Sequence, residues 1–109
     1  MKTTYGFRAT MVARPVRGDE LAALLLTAAS GTDSAAHEDG VLYLVGRSAS
    51  NRDVVHVTEG WTTKASHAAS FASPRARAFL AELAPLVTGE AQYQDEVPVG
   101  GSFQTEGHS

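Results

Sequence analysis

Thr58-Glu59-Gly60-Trp61-Thr62-Thr63-Lys64, then Ser66-His67, then Phe71-Ala72-Ser73-Pro74-Arg75-Ala76-Arg77-Ala78-Phe79 is the stretch that decides the fold. The run leading into it, Val54 to Trp61, is rich in β-branched residues and predicts a strand. Thr62 or Thr63 is placed to cap a short helix reaching Ala72. Ser73 before Pro74 signals a new helix, because serine caps and proline fits the first turn. Helical spacing turns Phe79, Leu80, Leu83 and Leu86 inward along it, with Pro85 near its last turns and fraying expected near Gly89.

Upstream, Tyr5, Phe7, Ala9, Met11 and Ala13 alternate with Gly6, Arg8, Thr10, Val12 and Arg14, a strand that Pro15 stops. After Arg17-Gly18, Asp19 is read as the cap of a helix carrying Leu21, Leu24, Leu25 and Ala28 at 3.6-residue spacing, with Gly31 at its end. Thr32 to Gly40, small and polar, reads as a loop or a frayed extension of that helix. The apolar run Val41 to Val45 predicts a strand covered on both faces, and the polar turn Ser48 to Asp53 joins it to the strand ending at Trp61 as a hairpin. Gln92 to Pro98 alternates weakly as a last strand, and Gly100 to Ser109 reads as a disordered tail. The order β-α-β-β-α-β is α+β and ferredoxin-like. One domain over residues 1–98, with a tail over 99–109, is expected of 109 residues.

A formal net charge of -3 with scattered arginines presents no basic face, so nucleic acid is not an expected partner. Cysteine is absent, which excludes disulfides, thiolate metal sites and a cysteine nucleophile. Four histidines are present, but His37 and His108 fall in loop and tail, and His56 and His67 lie on different elements without a paired carboxylate at ligand spacing, so no metal is expected. Gly100-Gly101 precedes no helix, which leaves a nucleotide cofactor unsupported. No window approaches the roughly 18 apolar residues of a membrane span, and the expected location is the cytoplasm.

With Glu59 and Trp61 closing one strand, Arg14-Pro15 another, Tyr43 inside a third, and Ser73-Pro74 with Phe79 opening the last helix, Tyr5 to Pro98 resembles the antibiotic biosynthesis monooxygenase family. The resemblance implies a dimeric α+β barrel: a homodimer whose two sheets pack face to face, with one pocket per subunit between sheet and helices. It also implies cofactor-independent oxidation, by O₂, of a small aromatic such as a phenol, quinol or anthrone. Two other functions stay open, a non-catalytic binding or stress-response module and a polyketide cyclase-like enzyme, because fold does not fix function. Haem cleavage is disfavoured. Relatives that degrade haem resemble a pattern of Asn, Trp and His, where this chain has Gly6 or Arg8, Ser70 and Leu80.

The candidate site follows from strand parity, helical spacing and that family pattern. Glu59 shares a strand face with Trp61 and Val57, whereas His56 points to the opposite face with Thr58. Trp61 is either an anchor for helix-sheet packing or a pocket wall that stacks on a flat substrate, and Glu59 is either tied to its own loop or a dimer partner, or lines the site. His67 shares a helix face with Phe71. The family usually has an apolar residue at His67 and a histidine one turn later, at Ser70, so His67 either takes over the imidazole's role or fills a core position. In the first case it is the base that accepts a phenolic proton near neutral pH, with Trp61 beside it. Arg75 stands where the family often has histidine and would serve as a donor or anion clamp. Tyr43, Phe71 and Phe79 complete the substrate-binding set; Tyr5 and Phe7 are core by default but able to line a pocket.

Overall fold

The computed structural model describes residues 3–30 and 40–101. It contains β1 (Tyr5–Ala13), α1 (Gly18–Ser30), β2 (Gly40–Arg47), β3 (Val54–Trp61), α2 (Lys64–Phe71), α3 (Pro74–Leu83), a 3₁₀ turn (Ala84–Leu86) and β4 (Val87–Glu96). The strands form one antiparallel sheet in the order β2-β3-β1-β4, the ferredoxin-like α+β arrangement. The expected loop with His37, the helix end at Gly31 and the tail beyond Gly101 with His108 lie outside the described residues.

Alternation along β1 puts Tyr5, Phe7, Ala9, Met11 and Ala13 under the helices, and β3 adds Val55, Val57 and Trp61 to the same buried layer. Leu21 and Leu25 of α1, Leu83 of α3 and Leu86 close the core from above. Tyr43 ties α1 to β2, its hydroxyl donating to the Leu25 carbonyl at 2.9 Å. The caps of the decisive stretch form as expected. Thr63 and Ser66 make a reciprocal capping box on α2, and the Ser73 hydroxyl accepts from the Ala76 N–H at the start of α3.

Four expectations need correction. Asp19 does not cap α1: the helix begins at Gly18, whose N–H donates to Asp53 at 3.0 Å, while Asp19 pairs with Arg47 at 2.6 Å and Arg52 at 3.1 Å. A carboxylate reaching over from the β2–β3 turn therefore satisfies the helix start. Any side chain at position 18 would drive its Cβ to 2.3 Å from the Arg52 carbonyl oxygen, which only glycine avoids. The second correction concerns β2, which lies at the sheet edge, and within one subunit the helices cover one of its faces; Leu44, on the other, is 47% exposed.

Third, the last helix stops at Leu83, because Pro85 takes the chain into the 3₁₀ turn, where Arg14 clamps it through its N–H to the Leu86 carbonyl (2.8 Å) and its Nε to the Pro85 carbonyl (2.8 Å). Fourth, β4 starts at Val87 instead of Gln92 and ends at Glu96. Gly89 is a backbone bend within that strand, with φ +72° where the β1–β4 register shifts, and not a frayed helix end. Among the described residues no helix is long and apolar enough to cross a membrane.

Candidate functional site

Between the helix-bearing face of the sheet and the three helices lies a cavity of about 340 Å³. Its floor comes from Phe7, Ala9 and Met11 of β1, Tyr43 of β2, and Val57, Glu59 and Trp61 of β3; its roof comes from α1, α2 and α3. Each of the seven residues singled out in the sequence, His67, Trp61, Tyr43, Phe71, Arg75, Phe79 and Glu59, lines it. Strand parity explains the floor: Tyr43 pairs with Glu59 across β2–β3, and both side chains rise toward the helices. Parity also puts His56 on the opposite face, where its Nδ1 lies 3.1 Å from the Thr10 hydroxyl.

His67 is 8% exposed and sits in an aromatic cage. Ring centroids lie 4.3 Å away at Phe7, 5.2 Å at Tyr5, 5.5 Å at Trp61 (edge-on) and 5.7 Å at Phe71 (stacked). Its Nε2 stands 3.8 Å from Glu59 Oε1, too far for a hydrogen bond. Glu59 Oε1 instead accepts the Trp61 indole N–H at 2.8 Å, so the buried indole has its polar partner. Tyr5 is core and not part of the lining, whereas Phe7 is both. Arg75 is exposed at the rim with Glu82, both on α3.

Two residues of the site were not singled out in the sequence. Tyr93 of β4 lines the cavity, its ring 5.4 Å from Phe7 and 6.1 Å from Phe71. Asp95, two residues on, accepts the Tyr5 hydroxyl at 2.7 Å and lies 3.5 Å from Lys64 Nζ. Period two along β4 is the signal that joins them, but only the β1–β4 register, Tyr93 opposite Ala9 and Asp95 opposite Phe7, shows which way they face.

The burial that shapes the cavity acts on its titratable groups. Desolvation pushes the Glu59 carboxyl up, and the Trp61 hydrogen bond offsets part of that. Desolvation pulls His67 below its ordinary value, with the Asp95 charge opposing. Burial raises the Tyr43 hydroxyl, and burial followed by the bond to Asp95 takes Tyr5 to about 12. Asp95 is held low, first by the Tyr5 hydroxyl. Burial thus disfavours the charged form of both the imidazole and the carboxyl.

These shifts act on stability in opposite directions. Because the native pKa of His67 lies below the unfolded value of 6.5, its contribution is intact above 6.5 and is lost as pH falls through the native value. Glu59, raised above 4.5, instead weakens the fold as pH rises through its native value. Wild type is therefore expected to lose stability relative to His67→Gln between about pH 7.5 and about pH 5.5. Urea midpoints of the two proteins measured across that range check it; a constant difference would show that the imidazole is not desolvated.

Among the described residues, no three His, Asp or Glu side chains converge as a metal site. No family model and no curated protein matches the chain, but solved structures do. A Chloroflexus aurantiacus J-10-fl protein named, on provisional grounds, an antibiotic biosynthesis monooxygenase is 30% identical, over 93% of this chain and 98% of its own, with a TM-score of 0.77. Two proteins similarly named share the fold at lower identity. That from Caulobacter crescentus CB15 has 19% identity, coverage of 91% and 92%, and a TM-score of 0.79. That from Deinococcus radiodurans has 22% identity, coverage of 94% and 99%, and a TM-score of 0.75. With a relative at that identity spanning nearly all of both chains, on a fold whose sheet-and-helix cavity gathers the Glu-x-Trp strand end and the helix after it, this chain belongs to the antibiotic biosynthesis monooxygenase family.

Proposed function

We propose that the protein is a cofactor-independent monooxygenase that oxidises a phenolic, quinol or anthrone-like aromatic with O₂. The observation that carries the reading is a buried histidine inside an aromatic-walled cavity. Flat walls at Trp61, Phe71, Phe79 and Tyr93 suit a flat substrate, and Arg75 at the rim suits an electron-rich or anionic substituent. His67 takes the acidic proton, and the electron-rich anion, kept from water, delivers electrons to O₂. For a methylene flanked by aromatic rings, one oxygen atom becomes the new carbonyl; the O–O bond breaks and the other oxygen leaves as water with the two methylene protons.

Oxygen uptake by the wild-type protein with dithranol or a naphthoquinol tests this. Uptake above the uncatalysed rate, with the carbonyl product in equal amount, is expected. Bound ligand with no excess uptake would instead favour the non-catalytic module.

The working form is proposed to be a homodimer, joined through the sheet face that carries Val12, Leu44 and His56. That face bears no helix, and Val12 and Leu44 are 41% and 47% exposed on it. Light scattering at micromolar protein is expected to give twice the subunit mass, and Leu44→Asp to return it to one; a monomeric wild type would refute the dimer.

A further inference from the structure

We propose that the cavity floor beyond the His67 cage, over Ala9 toward Met11, is an apolar recess that takes an uncharged alkyl or fused-ring extension of a hydroxyaromatic substrate. Ala9 is then a specificity-determining residue, because its small side chain keeps the recess open. The inference rests on the reading above for which cavity is the site, and it names the part of the substrate that the far end of that cavity selects.

Strand geometry divides the floor in two. Phe7, Ala9 and Met11 share one face of β1 and all three line the cavity; along that face Phe7 and Met11 stand about 13 Å apart. The walls at the Phe7 end are rings. His67 lies 4.3 Å from Phe7, and Tyr93, although opposite Ala9 in register, stacks on Phe7 at 5.4 Å. Toward Met11 the walls are aliphatic. Val57 pairs with Ala9 from β3, Leu25 comes from α1 and Leu83 from α3, and none of these side chains carries a hydroxyl, an amide or a charge.

Ala9 is the smallest residue of the floor and lies between Val57 and Tyr93 on the neighbouring strands, so a longer side chain there would rise into the cavity. Ala9, Met11, Leu25, Val57 and Leu83 are core residues, each at most 6% exposed, and yet they border open space that core side chains ordinarily fill. Such a recess forfeits packing contacts and offers water no hydrogen-bond partner. An apolar group restores the contacts, whereas a charged one would be left unpaired. Arg75 and Glu82 stand exposed on α3 at the rim, so a charged substituent finds its partner there and not on the strand floor.

The test is calorimetric binding under argon of phenol, 4-propylphenol and 3-(4-hydroxyphenyl)propanoate, which carry no extension, an apolar one and a charged one opposite the hydroxyl. Wild type is expected to bind 4-propylphenol roughly tenfold or more tighter than phenol, and to bind the carboxylate at least about tenfold more weakly than 4-propylphenol. Ala9→Leu, with its fold checked by circular dichroism, is expected to cut the ratio of 4-propylphenol to phenol to about threefold or less, a comparison within one protein that cancels any general loss of affinity. Three results would overturn the proposal: no gain from the propyl group in wild type; the carboxylate binding as tightly as 4-propylphenol, which would put the extension at the Arg75 rim; or folded Ala9→Leu keeping the wild-type ratio. Should Ala9→Leu not fold, the wild-type ligands still decide. Since no oxidation is read, the expected ratios without oxygen uptake defeat the monooxygenase reading alone, and oxygen uptake without those ratios defeats the recess alone.

Discussion

His67→Ala is expected to lower turnover of a phenolic substrate under air by roughly a hundredfold to ten-thousandfold, the usual loss when a general base is removed. The size of the effect follows from the cage. With Phe7, Trp61 and Phe71 around the ring, little water reaches the proton that must be taken, so solvent is a poor substitute for the imidazole. The pH profile carries the same signature. The base limb of kcat/KM is expected below the ordinary histidine value of 6.5, because desolvation lowers His67 and the Asp95 charge restores only part. Steady-state rates of wild type and variant, each confirmed folded by circular dichroism, decide it. Wild-type turnover in His67→Ala would reduce His67 to a packing residue, and a limb well above 6.5 would mean that another group is titrating.

The part of the site that was legible in the sequence lies on one continuous segment. Glu59 and Trp61 are related by strand parity, His67 and Phe71 by a helical turn, and the Thr63 and Ser73 caps fix where each helix begins. Local rules suffice there because each is enforced by the backbone within a few residues. Tyr93 and Asp95 required more. Their orientation depends on pairing with a strand some 80 residues earlier, through a register that shifts between Thr10 and Val12. The bend at Gly89 breaks the alternation of Val87 to Gln92, which concealed the first half of β4 and left its second half looking like an isolated strand.

A non-local partner likewise governs the start of α1. Asp19 has the residue type and position of a cap, yet Asp53, 35 positions along the chain from Gly18, does the capping. Sequence pattern identifies what a helix start needs but not which distant side chain supplies it. The order of elements escaped such errors, since Pro15, the Ser48–Asp53 turn and Ser73-Pro74 interrupt the chain at the points where the architecture turns.

The stability of the site scaffold is expected to hinge on Leu21. It is 0% exposed, with Leu25 next to it on the face of α1 that closes the core over Val55 and Val57. Leu21→Ala removes three carbons from a position that the flanking strands cannot collapse to fill, and such truncations cost about 2–5 kcal/mol. Against the roughly 5–15 kcal/mol that holds a typical domain together, that is a large share. The midpoint of thermal unfolding should fall by roughly 10–25 °C for a chain of this size. Leu26→Ala, on the same helix but 52% exposed, should change stability by no more than about 0.5 kcal/mol. Because α1 also roofs the cavity through Leu25, Thr27 and Ala28, ligand binding should weaken in Leu21→Ala before global unfolding begins. Equal losses for the two variants in thermal and ligand titrations would show that α1 is held by something other than its apolar face.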